Sequence, residues 1–312
     1  MLRRNYRTLR AVLLTFGIGL SATQSHATEP SAFSLNRGWP DLGRAINGSL
    51  GSGLTNPAAV SQSQRFVGGL AGDYAPPSGD FAVHAGLADS QTSSMAGEAM
   101  YSLIRHSDAN PGPYGNAVSR PADMYHRLNF ALSEFYGEVV HVGVHAGLDI
   151  PNNNGKRKKA RWSYGLGLIV PMGEMLRLGV ESGDWFDNDK SPFQFGHVGT
   201  GLAILPNEWF ALVGDYQFRW RHRLAPEGRA HSAGGGIGLR YKDVIEWRGG
   251  YRWNPYEDGN LIATALQGVR FPWIFAVDGR YAIAGEAGVG VSISRVMFVD
   301  ANEDSGSDSS GE

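Results

Sequence analysis

From about Gln64 to Phe298 the chain alternates apolar and polar residues in short segments, and the gaps between segments are by turns short and long. In Val140-His141-Val142-Gly143-Val144-His145-Ala146-Gly147-Leu148 every second residue is apolar, and the residues between are Gly or His. Trp162 to Leu168 and Ile245 to Trp253 repeat the pattern. A period of two is β structure, because successive side chains on a strand point to opposite faces. One face is apolar and the other is small or charged. The pattern predicts strands near 64–74, 79–90, 94–106, 123–136, 139–150, 159–170 and 175–186, then 193–205, 209–222, 231–242, 244–254, 261–271, 274–283 and 286–298. That is an all-β chain of about 14 antiparallel strands.

The gaps carry a second signal. Tyr136-Gly137-Glu138, Met172-Gly173-Glu174, Leu205 to Glu208, Tyr241-Lys242-Asp243 and Phe271-Pro272-Trp273 are tight. Ser107 to Ala122, Pro151 to Lys158, Asp187 to Pro192 and Arg223 to Ala230 are longer. Transmembrane barrels keep short turns on the periplasmic side and long loops outside, and a soluble sandwich has no reason to keep that parity. Trp162, Trp185, Trp209, Trp220, Trp247, Trp253 and Trp273 fall near the predicted strand ends, as interface girdles do. Trp209 and Trp273 mark the periplasmic belt, and Trp162, Trp185, Trp220 and Trp253 the outer one. The last strand ends at Phe298, a terminal aromatic of the kind that barrel-assembly machinery reads. The expected location is the outer membrane of a Gram-negative bacterium, with outer-membrane lipid as the surroundings.

Composition agrees. The 312 residues carry a formal net charge of -2 with no basic stripe, which argues against nucleic acid. There is no Cys, so disulfides and thiolate chemistry are excluded. The mean hydropathy of -0.25 would suit a soluble protein, but a barrel gives it too, because only every second strand residue faces lipid. No run of about 20 apolar residues exists to form a spanning helix. Arg3, Arg4, Arg7 and Arg10, an apolar run from Ala11 to Leu20, and Ser25-His26-Ala27 have the layout of a secretory signal peptide, so residues 1–27 are expected to be removed. Residues 299–312 are acidic, rich in Ser and Gly, and expected to be disordered.

With the apolar face toward lipid, the lumen receives His141, His145, Asp149, Arg161, Arg177, Glu181, Asp215, Gln217, Arg219, Arg221, Arg240, Glu246, Arg248, Arg252, Asp278 and Arg280. An Arg or Lys facing lipid at the midplane would cost about 2–4 kcal/mol. Gly143, Gly147, Gly165, Gly167, Gly179, Gly234, Gly236 and Gly238 face the same way and leave room for a plug or a passage. Two readings of the charges stay open: a ladder of ion pairs that fills the barrel, or a polar pathway. Arg219, Arg221, Arg240, Arg248 and Arg252 form the most pore-like wall, with Asp215, Glu246 and Asp278 expected to pair with part of it.

No enzymatic motif, cofactor site or metal site emerges. His141 and His145 share a strand face about 13 Å apart, too far for one metal ion. Gly234-Gly235-Gly236-Ile237-Gly238 lies within an alternating strand with no helix after it, so it is not a phosphate loop. Gly51-Ser52-Gly53 reads as a loop.

Residues 28–62 precede the first strand. Asp41 to Leu50 suits a helical turn with Leu42, Ala45 and Ile46 on one side, and Asn56-Pro57 reads as a turn. The run Gly43-Arg44-Ala45, Gly48 and Asn56-Pro57-Ala58 resembles the hatch motif of the FadL-like outer-membrane transporters and their PorV-type relatives. The resemblance implies a 14-stranded barrel with an N-terminal hatch or plug, and transport of small hydrophobic molecules. Its PorV side implies instead a non-transporting scaffold that partners a secretion or surface-assembly system. A polar porin is the third alternative. The loops here are shorter than those of the fatty-acid transporters.

Overall fold

A computed structural model describes residues 42–46, 50–62, 66–75, 80–90, 95–105, 124–137, 139–153, 156–157, 160–184, 196–220, 229–242, 244–253, 260–270, 273–282 and 287–298. The expected signal peptide, the acidic tail, Gly48, Trp185 and Arg221 lie outside them.

The strands are β1 (Phe66–Ala75), β2 (Asp80–Asp89), β3 (Ala96–Arg105), β4 (Met124–Tyr136), β5 (Val140–Asn153), β6 (Lys156–Arg157), β7 (Arg161–Met172) and β8 (Leu176–Gly183). They continue with β9 (His197–Asn207), β10 (Phe210–Trp220), β11 (Arg229–Tyr241), β12 (Ile245–Trp253), β13 (Leu261–Arg270), β14 (Trp273–Ala282) and β15 (Ala287–Phe298). Each pairs antiparallel with its neighbours, and β1 pairs with β15, so the sheet closes on itself without an edge. The two-residue β6 only folds back on the end of β5. The other 14 strands make the barrel. Sequence reading put β6 in a loop because residues 151–158 lack apolar alternation; its backbone pairs with the end of β5.

Side-chain facing follows the alternation. Leu166 and Leu168 are exposed, whereas Gly165, Gly167 and Ile169 between them are buried. The same rhythm gives exposed Ile262 and Leu266 with buried Ala263, Ala265 and Gln267. The exposed apolar residues form a continuous outer band, which a membrane covers. Trp162, Trp209, Trp253 and Trp273 are exposed at strand ends, and Trp247 is exposed two residues into β12, where it donates to Thr264 Oγ1 at 2.9 Å. Leu166→Arg is expected to cost about 2–4 kcal/mol, read as a lower heat-modification temperature of the purified barrel.

Ahead of β1, residues 42–46 and 50–62 are largely buried inside the barrel. Within the helical turn expected over Asp41 to Leu50, the described residues 42–46 form a turn closed by Ile46 N donating to Gly43 O at 3.1 Å. Two 3₁₀ helices follow, Ser52–Leu54 and Pro57–Gln62. The Gly51-Ser52-Gly53 loop is therefore the start of the first. Pro57 opens the second, a position where its missing N–H costs nothing, and Asn56 Oδ1 accepts from Ala58 N at 3.1 Å.

Candidate functional site

The inner segment is seated on a collar of inward-facing apolar residues near the short-turn ends of the strands. Leu42, Ala45 and Ile46 pack on Ala203 and Val213. Leu50 packs on Val67, Ala88 and Ile274, and Val60 on Ala96 and Ala131. Ala58 and Ala59 pack on Ile169.

Two carboxylates from different parts of the wall grip its turns. On β10, Asp215 Oδ2 accepts from Gly43 N at 2.8 Å, and its Oδ1 accepts from Arg44 N at 3.1 Å and from Arg44 Nη1 at 3.4 Å. On β3, Glu98 Oε2 accepts from Gly51 N at 2.8 Å, with the amides of Ser52 and Gly53 directed at the same carboxylate. Gly43 and Gly51 both have φ of 89°. That left-handed conformation lets consecutive N–H groups converge on one anion, and only glycine adopts it without strain.

Arg44 is 5% exposed and extends from Asp215 toward Glu181, with Nε 3.6 Å from Glu181 Oε2. The other Glu181 oxygen pairs with His197 Nε2. Asn56 is fully buried and uses its amide to join the segment to itself and to the wall. Its Nδ2 donates to Arg44 O at 2.8 Å and to Leu168 O at 3.2 Å. At the far end, Ser61 Oγ hydrogen-bonds Ser133 Oγ at 2.6 Å and His141 Nδ1 at 2.9 Å.

Inward glycines make the space. A Cβ on Gly167 would lie 1.9 Å from Asn56 Oδ1, and one on Gly143 2.3 Å from Ala58 N. On Gly179 it would lie 2.3 Å from Arg44 O, and on Gly199 2.3 Å from Arg44 Nε. Arg44, Ala45, Asn56, Pro57 and Ala58 lie against these glycines, and Gly43 meets the wall at Asp215.

No protein-family model and no curated protein sequence matches the chain. Solved structures do. The toluene transporter TbuX of Ralstonia pickettii superposes with a TM-score of 0.60 at 10% identity, over 88% of this chain and 100% of that one. The toluene transporter TodX of P. putida gives 0.58 at 10% identity, over 80% and 94%. A Pseudomonas aeruginosa FadL homologue gives 0.55 at 9% identity, over 85% and 98%. The fold is that of the FadL-type barrels.

Above the segment, toward the long loops, the barrel is lined by ion pairs. On β12 Arg252 is buried at this level, whereas Glu246, with Arg240 and Arg248 as its partners, sits next to the short β11–β12 turn. Arg219 donates to Gln217 at 3.1 Å. Asp149 pairs with Arg127, which sequence reading did not single out, and Arg161 stands opposite Asp149 in the β5–β7 register. Arg280 lies between Asp73 and Asp278. Asp73 also meets His84, which hydrogen-bonds Ser102 at 2.8 Å. Ser102 is 2% exposed, so this Ser–His–Asp line ties β1, β2 and β3 together and presents no nucleophile to the lumen. His145 rests on Gly165, and Arg177 is buried on β8.

One expected pairing is corrected. Asp215 does not serve the arginine wall; its partner is Arg44 of the inner segment. Glu98 and the apolar collar were missed. The collar had a visible signal, since alternation gives way to unbroken apolar runs such as Leu202-Ala203-Ile204-Leu205 near the short turns.

Proposed function

We propose that the chain is an outer-membrane channel for small hydrophobic molecules, with residues 42–62 as its hatch. The observation that carries this reading is the inner segment, held by two carboxylates inside a barrel whose fold is shared with toluene transporters and a FadL homologue. The short-turn end then faces the periplasm, and the long loops face outward. The hatch grips the wall through a few polar contacts on a glycine track, so it can shift without unpairing a strand. The charged tier above suits a small ligand that passes it quickly better than a long-chain amphiphile that must lodge there.

Expression in a Gram-negative host lacking hydrocarbon channels is expected to raise uptake of labelled toluene, at limiting concentration, several-fold over empty vector. No increase over empty vector would favour the second reading, a sealed scaffold barrel. That reading draws support from the burial of the polar contacts that hold the segment. A steady conductance of the unaltered protein for small ions in planar bilayers would instead favour the porin.

A further inference from the structure

The outer face carries a feature that transport does not use. Arg270, Trp273 and Arg295 are register neighbours on β13, β14 and β15 and all are exposed. The Arg295 guanidinium carbon sits 5.4 Å from the Trp273 ring centroid. Next in register on β1 is Gly68, so the wall drops away beside Arg295. A groove of about 520 Å³ opens there, with Gly68, Ala85 and Ala99 as its outward floor and Leu70, Leu87 and Phe130 among its walls. Its lining is almost wholly apolar, and its volume is within the about 300–1,000 Å³ typical of small-molecule sites.

Charged side chains on a lipid-facing surface need a reason. An arginine there is tolerated near an interface, and it is stabilised further when an anion meets it. Among the described register partners of Arg270, Trp273 and Arg295, none is acidic. Asp89, on β2, lies across β1 from Arg295 and one step closer to the short turns. Two guanidinium groups flanking an indole match a phosphate, which arginine binds with two parallel hydrogen bonds. The adjoining groove matches an acyl chain.

We propose that this surface binds an anionic phospholipid from the leaflet at the short-turn end. The phosphate sits between Arg270 and Arg295, and one acyl chain lies over Gly68, Ala85 and Ala99. Trp273 orients Arg295 and shields its underside. The bound lipid acts as a fixed part of the barrel's belt beneath the β1–β15 seam, where the ring closes.

The test is native mass spectrometry of the purified barrel released from nanodiscs of phosphatidylcholine with a minority of phosphatidylglycerol. The unaltered protein is expected to retain phosphatidylglycerol well above its bulk share. The variant R270Q/R295Q is expected to lower that enrichment roughly tenfold, about 1.4 kcal/mol. Ala85→Phe, which fills the groove and leaves both arginines, is expected to lower retention of either lipid. Heat-modifiable mobility reports folding of each variant, and R270Q alone serves if the double variant does not fold. Retention at the bulk ratio by the unaltered protein overturns the proposal. So does unchanged enrichment in the arginine variant, or enrichment of lipopolysaccharide in place of phosphatidylglycerol when both are supplied.

Discussion

An Asp215→Ala barrel is expected to keep its strands and to loosen its inner segment. Asp215 accepts from two backbone amides and one guanidinium of residues 43 and 44. All are buried, so no water replaces the lost acceptor. A stranded buried donor costs about 1–3 kcal/mol, and breaking a buried charge pair about 3–5 kcal/mol. Arg44 keeps Glu181, which holds the total near the lower end. The wall loses nothing comparable, because its backbone ladder from β9 through β11 does not involve this side chain. A local loss of about 3 kcal/mol is roughly a hundredfold in an opening equilibrium. Hydrogen exchange at residues 43–46 should therefore quicken by about that factor, with the strand amides unchanged. Exchange within about threefold of the unaltered protein would show that the collar alone retains the segment. Glu98→Gln should act on residues 51–53 and leave 43–46 slow.

The second large effect is steric. At Gly167 an added Cβ would meet Asn56 Oδ1 at 1.9 Å, Pro57 Cδ at 2.9 Å and Ala58 N at 3.0 Å. Asn56 Oδ1 ends a side chain, but it is held by Ala58 N and the Asn56 amide is buried, and Ala58 N is itself backbone. Overpacking of this kind costs about 1–3 kcal/mol, and the segment is the softer partner. Gly167→Ala is expected to displace residues 56–58 and to raise steady conductance in planar bilayers. Gly268→Ala and Gly279→Ala are the controls, because nothing lies within 4 Å of a Cβ at either site. If Gly167→Ala conducts no more than these two, displacement of the turn does not open the lumen.

The wall was readable because one physical rule acts on every strand residue. A charge facing lipid is expensive, so each charged position declares its face, and the tight turns fix register on one side. The strand expected at 261–271 is Leu261–Arg270, and that expected at 139–150 is Val140–Asn153. The inward glycines were legible as space, but their filling was not. Gly143, Gly167 and Gly179 receive the inner segment, whereas Gly165 receives His145 and Gly147 meets Ser163 and Asn129. Nothing local separates the two groups. Asp215 was misassigned for a related reason: alternation shows which residues share a wall, not what stands inside it. The partners of Glu98 gave no signal because they are backbone amides, which every residue has.

The two carboxylate grips differ in reach along the chain. Glu98 holds a turn 47 residues before it, and Asp215 one 171 residues before it. Closing the longer loop in an unstructured chain costs about 1 kcal/mol more entropy than closing the shorter. The β1–β3 sheet can capture residues 50–53 early through Glu98, while the partner strand of residues 43–46 is still unformed. The segment is then carried within the growing sheet on one tether and receives its second when β10 arrives, before β15 joins β1. A barrel built in that order encloses its contents as it closes and never has to thread them through a finished ring.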